Sequence, residues 1–320
     1  MERTCIGGFL MDSPSDMQSN SMTNGLIKRA ALYIGILAFA LVLLLFLGAG
    51  QASAEDVSGD IVGDVVWASG GVYNVTGDVN VVGNLTIEDD VAVVFQGDFD
   101  FNVVGSLTVE GTAENPVVFS WNDSLGTYWG ILNFVSGSSG SLSFVNISHC
   151  DGIFLDNVSV PISNVNLLDV AFGIYGEFYG MEQDVSLAFS DININNTAFA
   201  AVVILNDNGS LDITLERFSI DHGGAIGYLI ADQIDLNVID STFNDATDGL
   251  YVGAGMIGTV QITGSTFANI LGDEAVAFYD VAGDMSLVIE GAVFENIEGE
   301  AIYVESDSLV YFELANTTFE

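Results

Sequence analysis

From Ile147 onward an apolar anchor, in most coils behind a polar residue, returns at Leu167, Ile194, Ile220, Phe243, Phe267, Phe294 and Phe319, in steps of 20, 27, 26, 23, 24, 27 and 25 residues. A period of this length constrains the fold more than any composition, because each unit is too short to bury its own apolar face and must stack on its neighbours. After most anchors a small residue precedes an aliphatic one: Gly152-Ile153, Gly173-Ile174, Ala201-Val202, Ala225-Ile226, Gly249-Leu250, Ala275-Val276 and Ala301-Ile302. A third stretch closes each coil by strict alternation, as in Ile234-Leu236-Val238, Leu287-Ile289 and Val310-Phe312-Leu314. Earlier in the chain VVGNLTI at 81–87 returns as VVGSLTV at 103–109, again alternating as strands do.

Three short strands per coil of about 25 residues, without helical periodicity, predict an all-β parallel β-helix solenoid in which each strand pairs with its equivalent one coil away. A leucine-rich repeat would need a Leu- and Asn-specified consensus, and a propeller roughly 40 or more residues per blade. The coils, together with GSLTVEGTAENPVVFS at 105–120 and Trp129-Gly130-Ile131, resemble the right-handed parallel β-helix family, the pectate-lyase-like superfold and its non-enzymatic surface relatives. The resemblance covers about residues 57–320 and implies fold, not activity. The reading divides the chain into a leader at 1–54, an N-terminal cap with opening coils at 55–145, and repeated coils at 146–320. The last coil is expected to continue beyond residue 320.

In the leader, Lys28 and Arg29 precede an uncharged apolar run from Ala30 to Gly50, then Ala52-Ser53-Ala54. That order is an export signal, with a start at Met22 giving a signal of ordinary length. The run also fits an uncleaved membrane anchor; either way the remainder is expected to be extracellular or on the cell surface. Cys5 falls in the leader, so Cys150 has no intrachain partner in the exported part.

Charge removes whole classes of function. The chain has 4 Lys plus Arg against 44 Asp plus Glu, a net charge of -40, and past residue 55 its one base is Arg217. Such a polyanion repels nucleic acid and anionic membrane surfaces, so contact with a membrane is expected only through the N-terminal segment. With no Lys past residue 28, Schiff-base chemistry and phosphate-binding loops are excluded as well.

Aligned coils place His149, Asp169, Asn196, His222, Asp245, Asn269 and Asn296 at one offset, read as an inward-pointing structural ladder. Arg217 falls between Asp191 and Asp240 at another offset, as a surface salt ladder. Asp248, Glu274 and Glu300 form an acidic file. Charges about 5 Å apart repel by about 0.8 kcal/mol even in water, so the file is either a solvated edge or a calcium site bridging rungs. The outward file reads Phe154, Tyr175, Val203, Gly227, Tyr251, Ala277 and Tyr303. Its aromatics Phe154, Tyr175, Tyr251 and Tyr303, with Phe178 and Tyr179 in a wider loop, are candidate glycan-stacking residues, or simply residues suited to strands. Sequons stand at Asn74, Asn84, Asn122, Asn146, Asn157, Asn195, Asn208 and Asn316, candidates for glycosylation.

No convergent set of acid, base and nucleophile emerges. The reading that fits best is a non-catalytic secreted or surface protein, an adhesin, envelope component or spacer, with a glycan or another surface protein as partner. The alternatives are a hydrolase or lyase acting on a neutral glycan, and a calcium-dependent binding module of a longer protein.

Overall fold

The structure is a computed structural model that describes residues 54–122, 128–180, 184–281, 283–307 and 310–320; the leader lies outside them. Residues 54–320 form one compact unit, whose described residues make twenty-two strands and no helix. Every strand pairing is parallel, and each links a residue to its equivalent one coil away. The anchor file runs from Glu55 through Tyr73, Val93, Phe119, Ile147, Leu167, Ile194, Ile220, Phe243, Phe267 and Phe294 to Phe319. The chain is therefore a parallel β-solenoid, and its opening coils belong to the same stack as the repeats.

The strand Ser219–Ile239 shows how one coil is built. It turns through three faces without losing strand pairing, which replaces the expected three separate strands in this part of the chain by one long bent strand. Phe218 and Ile220 point inward on the first face, Ile226 and Leu229 on the second, and Ile234, Leu236 and Val238 on the third; each is at most 1 % exposed. Stacking puts like on like inside. Phe243, Phe267, Phe294 and Phe319 form one file of rings, with successive centroids 4.7, 5.0 and 5.2 Å apart. Offset aromatic stacking of this kind adds to the area each ring buries.

In the coils from Ile147 to Phe294, two corners adopt a left-handed backbone. Three residues before the anchor, Asn164, Asp191, Arg217, Asp240, Gly264, Gly291 and Asn316 have φ between 48° and 65°. Two residues after it, His149, Asp169, Asn196, His222, Asp245, Asn269 and Asn296 have φ between 53° and 63°. Asn, Asp, His and Gly tolerate this conformation best, which explains why those types recur there. The second file corrects the expectation that these side chains point inward: the left-handed turn aims them outward, and 64 % of the His222 side chain is exposed. They still form a ladder. Asn196 donates to Asp169 at 2.6 Å, and Asn296 donates to Asn269 at 3.1 Å.

The opening coils carry their own ladders. Asn133 donates to Asn102 at 2.9 Å, Asn102 to Asn80 at 3.5 Å, and Asn80 to Asp60 at 3.0 Å. Asn74 and Asn84 likewise donate to Asp56 and Asp64. The glycine shared by VVGNLTI and VVGSLTV has a packing cause: a Cβ on Gly83 would lie 2.1 Å from the Gly63 carbonyl, and one on Gly105 2.1 Å from that of Gly83. Inside the stack, the Ser241 hydroxyl accepts from the Phe218 N–H at 3.1 Å, and the Ser265 hydroxyl accepts from the Ser241 N–H at 3.1 Å. Both serines are at most 2 % exposed, and hydrophobic patterning gave no sign of them.

Asp240, with φ 48°, tests the corner rule. Asp240→Val should cost about 1–2 kcal/mol in denaturant unfolding, while Asp240→Gly, the residue found one coil later in that file, should leave stability nearly unchanged.

Candidate functional site

The outer side of the second face concentrates the features that a ligand could use. Its register reads Phe154, Tyr175, Val203, Tyr228, Tyr251, Ala277 and Tyr303. Gly227, expected outward from the spacing, is instead an inward register partner of Val202 and Leu250, and Tyr228 one residue later takes the outward place. The correction joins separate aromatics into a stripe. Phe154 and Tyr175 stack at 4.8 Å, and Tyr228 and Tyr251 at 5.2 Å. Ala277 leaves a gap, and the ring of Tyr279, two residues on and on the same side of the strand, fills it between Tyr251 at 6.0 Å and Tyr303 at 5.3 Å. Phe178 does not join the stripe. It is 2 % exposed within the main core, because strand alternation turns it inward, whereas Tyr179 beyond it is 42 % exposed.

Beside the stripe, Ala200, Val203 and Ala225 form a small second apolar cluster with Phe172, Tyr175 and Leu205 packed against it. The exposed ring of Phe199 stacks on Phe172 at 5.1 Å. On one side of this pair opens a cavity of about 440 Å³ lined by Asp151, Ile153, Phe154, Phe172, Tyr175 and Phe199 among others. On the other side lies one of about 430 Å³, walled by Phe172, Tyr175, Phe199, Val203, Tyr228 and Asp248. Neither Phe172 nor Phe199 had been singled out from sequence; both sit in the corner segment between anchor and second face, where alternation is broken.

Electrostatics on this face come from carboxylates. Partial desolvation, reinforced by Asp98 and Asp100, raises the Asp151 carboxyl above its ordinary value. Burial, and then the field of Asp248 and Glu274, pushes the Tyr251 phenol up to about 12. Burial and a hydrogen bond to Glu274 push that of Tyr279 up to about 12. Glu274, 8 % exposed, accepts from the Tyr279 hydroxyl at 3.1 Å and is the register partner of Glu300. Asp248 stands one coil before Glu274 in this file, in register with Ala225. Among the described residues, the group whose ligand atoms lie within 4.8 Å of one another is a different one, Asp221, His222 and Asp245. There the two ring nitrogens of His222 face Asp221 at 3.2 Å and Asp245 at 3.3 Å.

Arg217 is held by both Asp191 oxygens at 2.6 and 2.7 Å and by Glu216, so its second ion-pair partner is its chain neighbour Glu216 where Asp240 was expected. The Arg217 hydrogen bonds lower the Asp191 carboxyl below its ordinary range. Cys150 is a free thiol buried in the core, and burial raises its pKa well above the usual thiol value.

The sequons divide by environment. Asn74, Asn84, Asn122 and Asn157 donate their amide groups to Asp56, Asp64, Gln96 and Asp156. Asn146 accepts from Asn166. Asn195 is half-buried, while Asn208, in a turn, and Asn316, at a corner, are exposed.

No protein-family model, no curated protein and no solved structure matches the chain.

The raised Asp151 carboxyl has a measurable sign. Its folded pKa lies above the ordinary 3.8, so its contribution to stability is fully present below pH 3.8 and is lost as pH rises through the folded value. Asp151→Asn should therefore raise the melting temperature at pH 7 and give no gain at pH 3, as read by thermal unfolding.

Proposed function

We propose that this chain is an exported, non-catalytic, right-handed β-solenoid displayed at or beyond the cell surface, with its second face as the binding surface. The observation that carries the reading is the contrast between faces. Polar residues at the corners satisfy one another in ladders from coil to coil, whereas the second face presents a stripe of stacked aromatics and two open cavities. Right-handed winding follows from the strand twist that makes parallel crossovers right-handed in about 98 % of cases. Export follows from the ordered signal at residues 28–54. The resemblance to pectate-lyase-like surface proteins agrees with both, and stacking aromatics suit a neutral glycan or an apolar protein segment. Exposed Asn208 and Asn316 are the sequons best placed for modification.

One observation favours an enzymatic reading: the raised carboxyl of Asp151, with Asp98 and Asp100 near it, lines an aromatic cavity. A polysaccharide hydrolase needs a protonated carboxyl beside an ionised one. Turnover of neutral polysaccharides that disappears in Asp151→Asn would establish that activity in place of display.

The display reading is tested by labelling intact cells with a membrane-impermeant reagent at a cysteine introduced at Asn208. Labelling on intact cells is expected; labelling only after lysis would contradict export. The acidic surface adds a second outcome. A net charge of -40 repels itself when counterions are withdrawn. The melting temperature should fall steadily as salt and calcium are removed, and a flat response would refute the charge argument.

A further inference from the structure

The two cavities of the second face share the wall formed by Phe172, Tyr175 and Phe199, and each carries one carboxylate, Asp151 in the first and Asp248 in the second. The acids occupy one file. Asp151 precedes Ile153 by two residues as Asp248 precedes Leu250, and Ile153, Ile174, Val202, Gly227 and Leu250 are successive register partners. Between the acids that file reads Phe172, Ala200 and Ala225. The acids thus stand four rungs apart, about 19 Å at about 4.8 Å per rung, on either side of an apolar floor that the small alanines keep low.

We propose that this face docks an extended cationic segment of a partner protein, placing one arginine or lysine in each cavity with apolar residues between them. The proposal deepens the display reading and rests on it, since the face must be open to a partner. Three observations support it. Aromatic walls with a carboxylate at the rim are the chemistry that holds a guanidinium or ammonium group, through cation–π attraction and a charge-assisted hydrogen bond. The half-buried Asp248 carboxylate has no hydrogen bond or ion pair among the described residues, and Arg217, the one Lys or Arg past residue 55, is already held by Asp191 and Glu216. The surrounding net charge of -40 draws a cationic segment in and repels an acidic or phosphorylated one. An extended chain advances about 3.3 Å per residue, so about six residues span the two acids. The Tyr228 phenol, raised by burial and then by Asp248, stays neutral at physiological pH and offers an intact ring to the cation. A neutral sugar would use the rings but leave both carboxylates without a counter-charge.

The test uses the full chain and a fluorescein-labelled, terminally blocked peptide with two arginines six positions apart and Leu, Val and Thr between them, followed by fluorescence anisotropy. Binding at physiological salt is expected to weaken about tenfold when citrulline replaces both arginines. Asp151→Asn, Asp248→Asn and Phe199→Ala should each weaken it comparably, and Phe199→Ala removes a ring that is already 61 % exposed. Asp212→Asn, at an exposed acid on the third face, should change nothing. Equal binding of the citrulline peptide, or an Asp212→Asn loss as large as that of Asp248→Asn, would overturn the proposal in favour of general stickiness or general charge attraction. Arginine amide binding as tightly as the peptide would reassign the cavities to a small cation. A neutral oligosaccharide binding where the peptide does not would reject the cationic partner and leave display standing, while failure of surface labelling would reject display itself.

Discussion

Everything in this molecule depends on parallel pairing between a coil and the next. At about 4.8 Å per rung, a residue's nearest non-sequential neighbours are its own equivalents, so each position is selected as a file. Phe243, Phe267 and Phe294 fill one file, Ser241 and Ser265 another, and Asn, Asp, His and Gly a pair of corner files where φ is positive. A residue unsuited to its file is costly twice, once to each neighbour.

The ladders also have a direction. Asn74, Asn80 and Asn84 donate toward the preceding coil, as do Asn196, Asn244, Asn269 and Asn296 further along, and Arg217 does the same to Asp191. The first rung then needs acceptors alone, and it supplies Asp56, Asp60 and Asp64. Acceptor-only carboxylates at Asp56, Asp60 and Asp64 complete the ladders that start there. Part of the acidic composition is therefore ladder chemistry at corners and at the first rung. Another part, Asp151, Asp248 and Glu274, is concentrated on the aromatic face and places negative charge there.

The period and the inward anchors were legible in sequence because a solenoid repeats one local rule. The register of Ile147, Leu167, Ile194, Ile220, Phe243, Phe267, Phe294 and Phe319 is the one read from spacing alone. What spacing could not carry was conformation at the corners. Inward pointing of the His222 file followed from counting two residues past an anchor, a rule that fails where a left-handed residue reverses the alternation. The same break let Ala225-Ile226 mimic the small-aliphatic pair and shifted Tyr228 out of view, and with it the continuity of the aromatic stripe. Phe172 and Phe199 were invisible for a related reason: their partners across the cavities come from coils far apart in sequence.

The central claim is the file register, and it is open to direct measurement by distances between paired spin labels. Ala188, Thr214, Asn237, Gln261, Val288 and Glu313 are successive partners on the third face. With Cys5 and Cys150 replaced by serine, label pairs Ala188 with Gln261, Ala188 with Val288 and Ala188 with Glu313 should give distances of about 14, 19 and 24 Å, rising by one rung spacing each time. Distances that failed to rise in equal steps would contradict the stacking on which the ladders, the aromatic stripe and both cavities depend.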